Sequence, residues 1–283
     1  MLKRVLRKIK RKLIKEPAAI PVPASASKLV ETGTTESLYL TKDGNYYWLN
    51  DISCVDGDIK NTGVWEPNTT HAIKQLIKPG DVVLDIGANI GYDTVIMSKL
   101  AGETGKVYAF EPTLHYFDVL NRTLAANKIT NTQVFNFGLS DKDAELEIYL
   151  GQHSATIHET QYKDTLRKEK ITLHTLDEVA AEEKWDKVDF IKLDVDGHEP
   201  AVLDGGWKTI EKFSPIILLE VSHEHYLDAG VTAWDFYKLL KSKNFYIYSE
   251  EAMQPLDNLR DFLIKCGNFA YSGNIIISQK PLN

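Results

Sequence analysis

The chain of 283 residues predicts an α/β protein built on a mostly parallel sheet with helices on both faces. Three observations predict it. Short apolar runs alternate with stretches of helical length from residue 81 to residue 279. One run, VVLDIGANIGYD at 82–93, ends a strand on Asp85 and continues with Gly87, Asn89 and Gly91, the form of a tight strand-to-helix turn. Composition, 43% hydrophobic and 26% charged, suffices for a full core, yet no run approaches the roughly 18–20 apolar residues of a membrane span.

The elements follow in order. Leu2, Val5, Leu6, Ile9 and Leu13 recur at helical spacing among Lys and Arg, so residues 1–16 read as a basic amphipathic helix. Residues 17–36, rich in Pro, Ala, Ser and Thr, read as a flexible linker. The folded domain, 37–283, opens with SLYLTKDGNYYWLN, a hairpin about Asp43-Gly44, and then a helix HAIKQLIK that stops at Pro79-Gly80. The strands are DVVLDIG, KVYAFE, TQVFNFG, ELEIYL, KVDFIKLDVD and PIILLEV. Helices at 90–101, 113–127, 176–184 and 199–212 separate them, which is the signature of βαβ units. A helix from Thr232 to Lys241 precedes two closing strands, FYIYS and NIIISQ. Residues 151–170 form a long polar irregular stretch of the kind that serves as a binding loop.

Charge narrows the partners. Of the 33 Lys and Arg, eight fall in residues 1–15 with no acid, leaving 25 in the body against 40 acidic residues. So acidic a body argues against nucleic acid as the partner. The basic segment suits an anionic membrane surface; a partner-docking helix, a nucleic-acid arm and a solvated tail are the competing readings. No secretory signal is present, so the body is expected in the cytoplasm, peripheral to the inner face of the membrane. Cys54 and Cys266 have neither metal nor redox spacing and read as reduced thiols.

In open α/β sheets ligands bind at the carboxyl ends of the strands. After the first such strand comes Asp85-Ile86-Gly87-Ala88-Asn89-Ile90-Gly91. Asn89 stands where a dinucleotide fingerprint needs its second glycine, which disfavours a pyrophosphate and an NAD-dependent oxidoreductase. Asn89 tolerates an unusual backbone and offers an amide to a zwitterion, while Asp85 can hold water or a cation. The next strand ends on Glu111, followed by Pro112, and a carboxylate there accepts both hydroxyls of a ribose. The third ends at Gly138, Leu139 and Ser140, placed to pack on an adenine. A nucleoside without phosphates fits, and S-adenosylmethionine matches.

GDVVLDIGANIG, VYAFEP, TLDEV at 175–179, FIKLDVDGHEPAVLDGG at 190–206 and PIILLEV together resemble the FkbM-type methyltransferases over residues 38–280. The resemblance implies a Rossmann-like class I methyltransferase fold with a seven-stranded sheet, and methyl transfer from S-adenosylmethionine to a hydroxyl on a sugar or natural product. The family commonly has Glu where this chain has Asp196.

Methyl transfer from a sulfonium needs an acceptor oxygen held in line, with a base beside it. The strand end supplies Asp194, Asp196, His198 and Glu199, and its neighbour supplies Glu220, His223 and His225. His198, Asp194 and Glu220 are the candidate catalytic residues, with His198 first as base for its near-neutral titration. Asp194 also belongs to the donor site. Capping of the next helix is the other reading of Asp194, and complementing the helix dipole that of Glu199. Hard oxygen ligands at Asp194, Asp196 and Glu220 could hold Mg²⁺, though no spacing demands it. His153, Ser154 and His223, with Thr156, His158 and Tyr162, are candidates for binding a hydroxyl-rich acceptor: a glycan, lipid-linked saccharide or glycosylated metabolite. Transfer to nitrogen or to a non-sugar molecule, and a non-catalytic cofactor-binding adaptor, remain the alternatives.

Overall fold

The computed structural model describes residues 27–33, 35–50, 53–150, 155–156, 167–228, 230–266 and 272–282. Its centre is a seven-stranded sheet of β4 (Val82–Ile86), β5 (Lys106–Phe110), β6 (Thr132–Phe135), β11 (Phe190–Leu193), β12 (Ile216–Val221), β13 (Tyr246–Ser249) and β14 (Gly273–Ser278). The order across the sheet is β6-β5-β4-β11-β12-β14-β13, with only β14 antiparallel to its neighbours. Numbered by chain position this is 3-2-1-4-5-7-6, a nucleotide-fold sheet with an antiparallel strand inserted near one edge. The direction of winding reverses between β4 and β11, and a crevice opens there at the strand ends.

Side-chain alternation splits the sheet between two cores. Leu84, Ile86, Tyr108, Phe110, Ile191, Leu193, Ile217 and Leu219 face one core. Val83, Val107, Ala109, Phe190, Leu218 and Ile276 face the other. Both faces are covered, which is why the strands read as nearly continuous apolar runs. Helices α2 (Pro67–Leu76), α3 (Tyr92–Ala101) and α4 (Leu114–Ala126) contribute to the second core. Helices α5 (Leu176–Glu182), α6 (Glu199–Gly205), α7 (Trp207–Phe213), α8 (His223–Asp228), α9 (Ala233–Ser242) and α10 (Leu259–Cys266) contribute to the first.

Several expectations are corrected. The stretch read as linker contains strand β1 (Lys28–Thr32), which pairs antiparallel with β2 (Ser37–Leu40); β2 pairs with β3 (Tyr46–Leu49) in the hairpin. This small sheet is anchored by Arg122 of α4, which bonds Glu36 at 2.7 Å, and by Asn127, whose side chain pairs with the Tyr46 backbone. A helix α1 (Cys54–Thr62) was not foreseen. ELEIYL does not join the main sheet. As β8 (Ala144–Leu150) it belongs to a second sheet with β7 (Gly138–Ser140), β9 (Ala155–Thr156) and β10 (Arg167–Thr175). Its pattern alternates polar and apolar residues, as a strand covered on one face does. Residues 167–170, read as loop, are the start of β10, because seven residues of β10 pair with β8. The helix foreseen at 199–212 is broken at Gly205-Gly206, where a Cβ on Gly205 would lie 1.9 Å from the Ser140 carbonyl.

Candidate active site

The crevice holds two adjoining spaces. The donor cleft, about 710 Å³ of open space, is walled by Glu111, Pro112, Gly138, Leu139, Asn89 and the end of β11. Ile148, Ile171 and Leu173 of the second sheet close its far side. Beside it lies an acidic chamber of about 980 Å³, between the glycine turn, the start of α2 and the ends of β11 and β12. Gly87, Asn89, Asp194 and Asp196 line both.

A Cβ on Gly87 would fall 1.8 Å from the Asp194 carbonyl, and one on Gly91 2.5 Å from the Leu120 side chain, and both residues hold left-handed backbone at φ 89° and 87°. Packing and backbone conformation therefore require glycine here, at a turn where Gly87 also borders both spaces. The N–H groups of Gly87 and Ala88 both donate to the Phe110 carbonyl at 3.0 Å. Asn89 has φ 49°, and its Oδ1 accepts from Ile90 N–H at 2.8 Å. Asn tolerates this left-handed conformation because its amide can bond locally.

Glu111 is buried. Its Oε2 accepts from Asn89 N–H at 2.9 Å, and its Oε1 accepts from Thr113 N–H at 2.9 Å and Thr113 Oγ at 2.7 Å. Burial raises its pKa against these bonds. An ionised carboxylate has about four lone-pair sites, so capacity for a ligand hydroxyl remains. Asp85, 1% exposed, accepts from Thr94 Oγ at 2.5 Å through Oδ2, while Oδ1 has no partner among the described residues. Burial lifts its pKa to about 7, although Lys192 opposes the shift.

Lys192 was missed by the sequence reading. It pairs in register with Asp85, so both project to the same face of the sheet. Its ammonium is buried, 2.8 Å from Asp194 Oδ2 and 3.5 Å from Asp93 Oδ2. Burial opposes its charge, but Asp194, Asp93, Asp85 and Glu66 outweigh burial and raise its pKa well above the usual range. A lysine inside an otherwise apolar buried strand, FIKL, is the signal that could have found it.

The turn after β11 carries two left-handed residues, Asp196 at φ 52° and Gly197 at φ 97°. Glu199 holds it, its Oε1 accepting from Val195 N–H at 2.9 Å and Gly197 N–H at 3.2 Å. Burial pushes Glu199 up to about 7. It lifts Asp196 to about 8, with Asp194 and Glu199 adding to the shift. Leu193 pairs with Leu219, so Asp194 and Glu220 leave adjacent strands side by side. Burial, then Asp194, drives the Glu220 pKa well upward. His198 lines the donor cleft only, with Nε2 2.9 Å from Ser140 Oγ. The Ser140 hydroxyl also lies 3.0 Å from Asp141 Oδ1. Ser140, expected to pack on the adenine, is buried and does not line the cleft, and His223 is buried and lines neither space. His153, Ser154, His158 and Tyr162 lie outside the described residues, as does the basic segment 1–16. Among the described residues no group of three or more His, Cys, Asp or Glu is arranged to hold a metal ion, so the expected Mg²⁺ finds no ligand set there.

A sheet of order 3-2-1-4-5-7-6, with a cleft at its switch point and a carboxylate at the end of the second strand, is a Rossmann-like fold, and the family match makes it a methyltransferase that uses S-adenosylmethionine. The chain belongs to the FkbM methyltransferase domain family, whose model matches residues 85–268. It is 28% identical over 179 residues to the hexuronic acid methyltransferase AglP of Haloferax volcanii, spanning 62% of this chain and 67% of that protein. Among solved structures it is similar to the SAM-dependent O-methyltransferase TM0748 of Thermotoga maritima (14% identity, 88% and 79% coverage, TM-score 0.44). It is also similar to M. jannaschii TYW2 in complex with AdoMet (13% identity, 89% and 88% coverage, TM-score 0.43). The architecture given above rests on the strand pairing. Among the described residues no helix is long and apolar enough to cross a membrane.

Proposed function

We propose that this protein methylates a hydroxyl of a sugar. The observation that carries the reading is the shared wall: Asp194 and Asp196 line both spaces, so an acceptor in the chamber faces the donor across these carboxyls. S-adenosylmethionine supplies a methyl group already activated on sulfur, which leaves positioning as the protein's main task. Glu111 accepts the ribose hydroxyls and Leu139, Ile148, Ile171 and Leu173 flank the adenine in the cleft, while the amino-acid end of the donor reaches into the chamber, where the Asp85 carboxyl receives its ammonium. Trp65 and Tyr92 give the chamber aromatic faces suited to the C–H face of a sugar ring. The hexuronic acid methyltransferase relative supports a sugar acceptor.

The proton of the acceptor hydroxyl goes to Asp196. Its carboxyl lines both spaces, and a pKa near 8 suits a base working close to neutral pH. His198, first choice from the sequence, has its Nε2 2.9 Å from Ser140 Oγ and does not line the chamber. Asp194, held by Lys192, orients the acceptor.

The test is turnover of isotopically labelled donor on a panel of sugar glycosides, read by mass spectrometry of the products. The expected product is a glycoside carrying one added methyl on oxygen; methyl found only on nitrogen or on non-sugar molecules sinks the reading. The basic segment 1–15 would hold the enzyme on an anionic membrane surface where such acceptors are assembled. Deleting residues 1–16 is expected to abolish binding to anionic liposomes and spare turnover of a soluble acceptor.

A further inference from the structure

We propose that the acceptor is anchored by a positive charge: the acidic chamber takes an amine-bearing sugar and rejects a uronate. The choice of probes rests on the sugar reading above. Among the described residues, six carboxyl groups line the chamber, from Glu66, Asp85, Asp93, Asp194, Asp196 and Glu220, against the one ammonium of Lys192. That ammonium is already engaged by Asp194 at 2.8 Å and by Asp93 at 3.5 Å. Among the described residues no other cation lines the chamber to meet an acceptor's carboxylate.

A second, separate observation points to a cationic ligand. Asp85 Oδ1 and Asp93 Oδ1 are buried without a hydrogen-bond partner among the described residues, in side chains that line the chamber and are 1% and 8% exposed. Glu220 Oε2 is buried and unpartnered in the same way. Buried carboxylate oxygens left bare are costly, and native proteins satisfy them with partners. The donor brings one ammonium, which answers Asp85. Asp93 and Glu220 are left for the second substrate. An acceptor ammonium supplies three donors to this group of acceptors, and Trp65 beside it offers a ring face that favours a cation further. A uronate in the same position would add one more carboxylate to this acidic group.

Calorimetry on the full-length protein loaded with S-adenosylhomocysteine tests this, using methyl glucosaminide, methyl glucoside and methyl glucuronide as probes. The amine is expected to bind about tenfold or more tighter than the neutral sugar, with the uronate weakest. Glu66→Gln, an isosteric change that removes one carboxyl group able to ionise against a bound ammonium, is expected to narrow the gap between amine and neutral sugar several-fold with the fold intact by circular dichroism. Equal binding of amine and neutral sugar, or preference for the uronate, overturns the proposal, as does no binding by any of the three together with no methylation of serinol. Serinol, an amino alcohol without a sugar ring, separates the two ideas. Methylation of serinol with none of the sugars would leave the charge anchor standing and remove the sugar reading; methylation of the glucuronide would do the reverse.

Discussion

At the residue scale, the site is a set of carboxyl groups given different tasks by their surroundings. Glu111 is bound by two backbone N–H groups and still has lone pairs to spare. Glu111→Gln turns one of its oxygens into a donor that faces a backbone N–H. The expected result is an affinity for S-adenosylhomocysteine weakened about 10- to 100-fold, measured by calorimetry. Asp196 is proposed to act as a base, and bases work ionised. The rate on any acceptor is therefore expected to rise with pH toward about 8, and Asp196→Asn is expected to remove that rise and lower the rate about 10²- to 10⁴-fold. An unchanged pH profile in Asp196→Asn would exclude it as the base. The sequence showed the carboxylates of the LDVDGHE stretch but not which would be bonded by Lys192, which tied into a turn and which left facing open space. That sorting depends on partners from other elements.

At the element scale, β8 and β10 of the second sheet are the part of the proposed donor site that reading along the chain did not foresee. Its strands look like members of the main alternation, and only pairing places them apart. Ile148, Ile171 and Leu173 form a small buried cluster on it and also face the donor cleft. Leu173→Ala is expected to cost about 2 kcal/mol of stability, the low end for a buried leucine because the cluster is small, and to weaken donor binding as well. Thermal melts with and without S-adenosylhomocysteine separate the two effects; full retention of donor affinity would remove this wall from the site. The glycine turn makes the complementary point. Gly87→Ala puts a Cβ against the Asp194 carbonyl at a backbone angle of φ 89°. The expected outcome is loss of a folded, donor-binding protein, seen by circular dichroism, although no ligand atom need touch Gly87. The motif was legible in the sequence, but its physical reason, contact between two strand ends, was not.

At the scale of the whole molecule, the crowded chamber makes stability depend on pH. Asp85, Glu66 and Glu199 titrate near 7 in the folded protein, chiefly because burial disfavours their charge. In the unfolded chain such groups lose their protons near pH 4. Between about pH 4 and pH 7 the folded state holds more protons, so this contribution to stability falls as pH rises. The ligand-free protein is expected to melt at a lower temperature at about pH 8 than at about pH 5, and Asp85→Asn is expected to flatten the decline while weakening donor binding. A melting temperature that climbs over this range would contradict the burial of these charges.

The sequence by itself determined the α/β class, a mostly parallel sheet with two closing strands, and the residues proposed for the donor half of the site. Those features are written in consecutive residues, since a strand end, the turn after it and the helix that follows occupy one short stretch. The tertiary structure alone decided the acceptor half. Trp65 and Glu66 lie beside α2, Asp93 on α3, Lys192 on β11 and Glu220 on β12, and they share one chamber. They meet because the sheet reverses its winding between β4 and β11, and because alternation along the strands turns Asp85 and Lys192 to one face. Charge balance in such a chamber is a sum over groups far apart in the chain, fixed only when the strands have found their register.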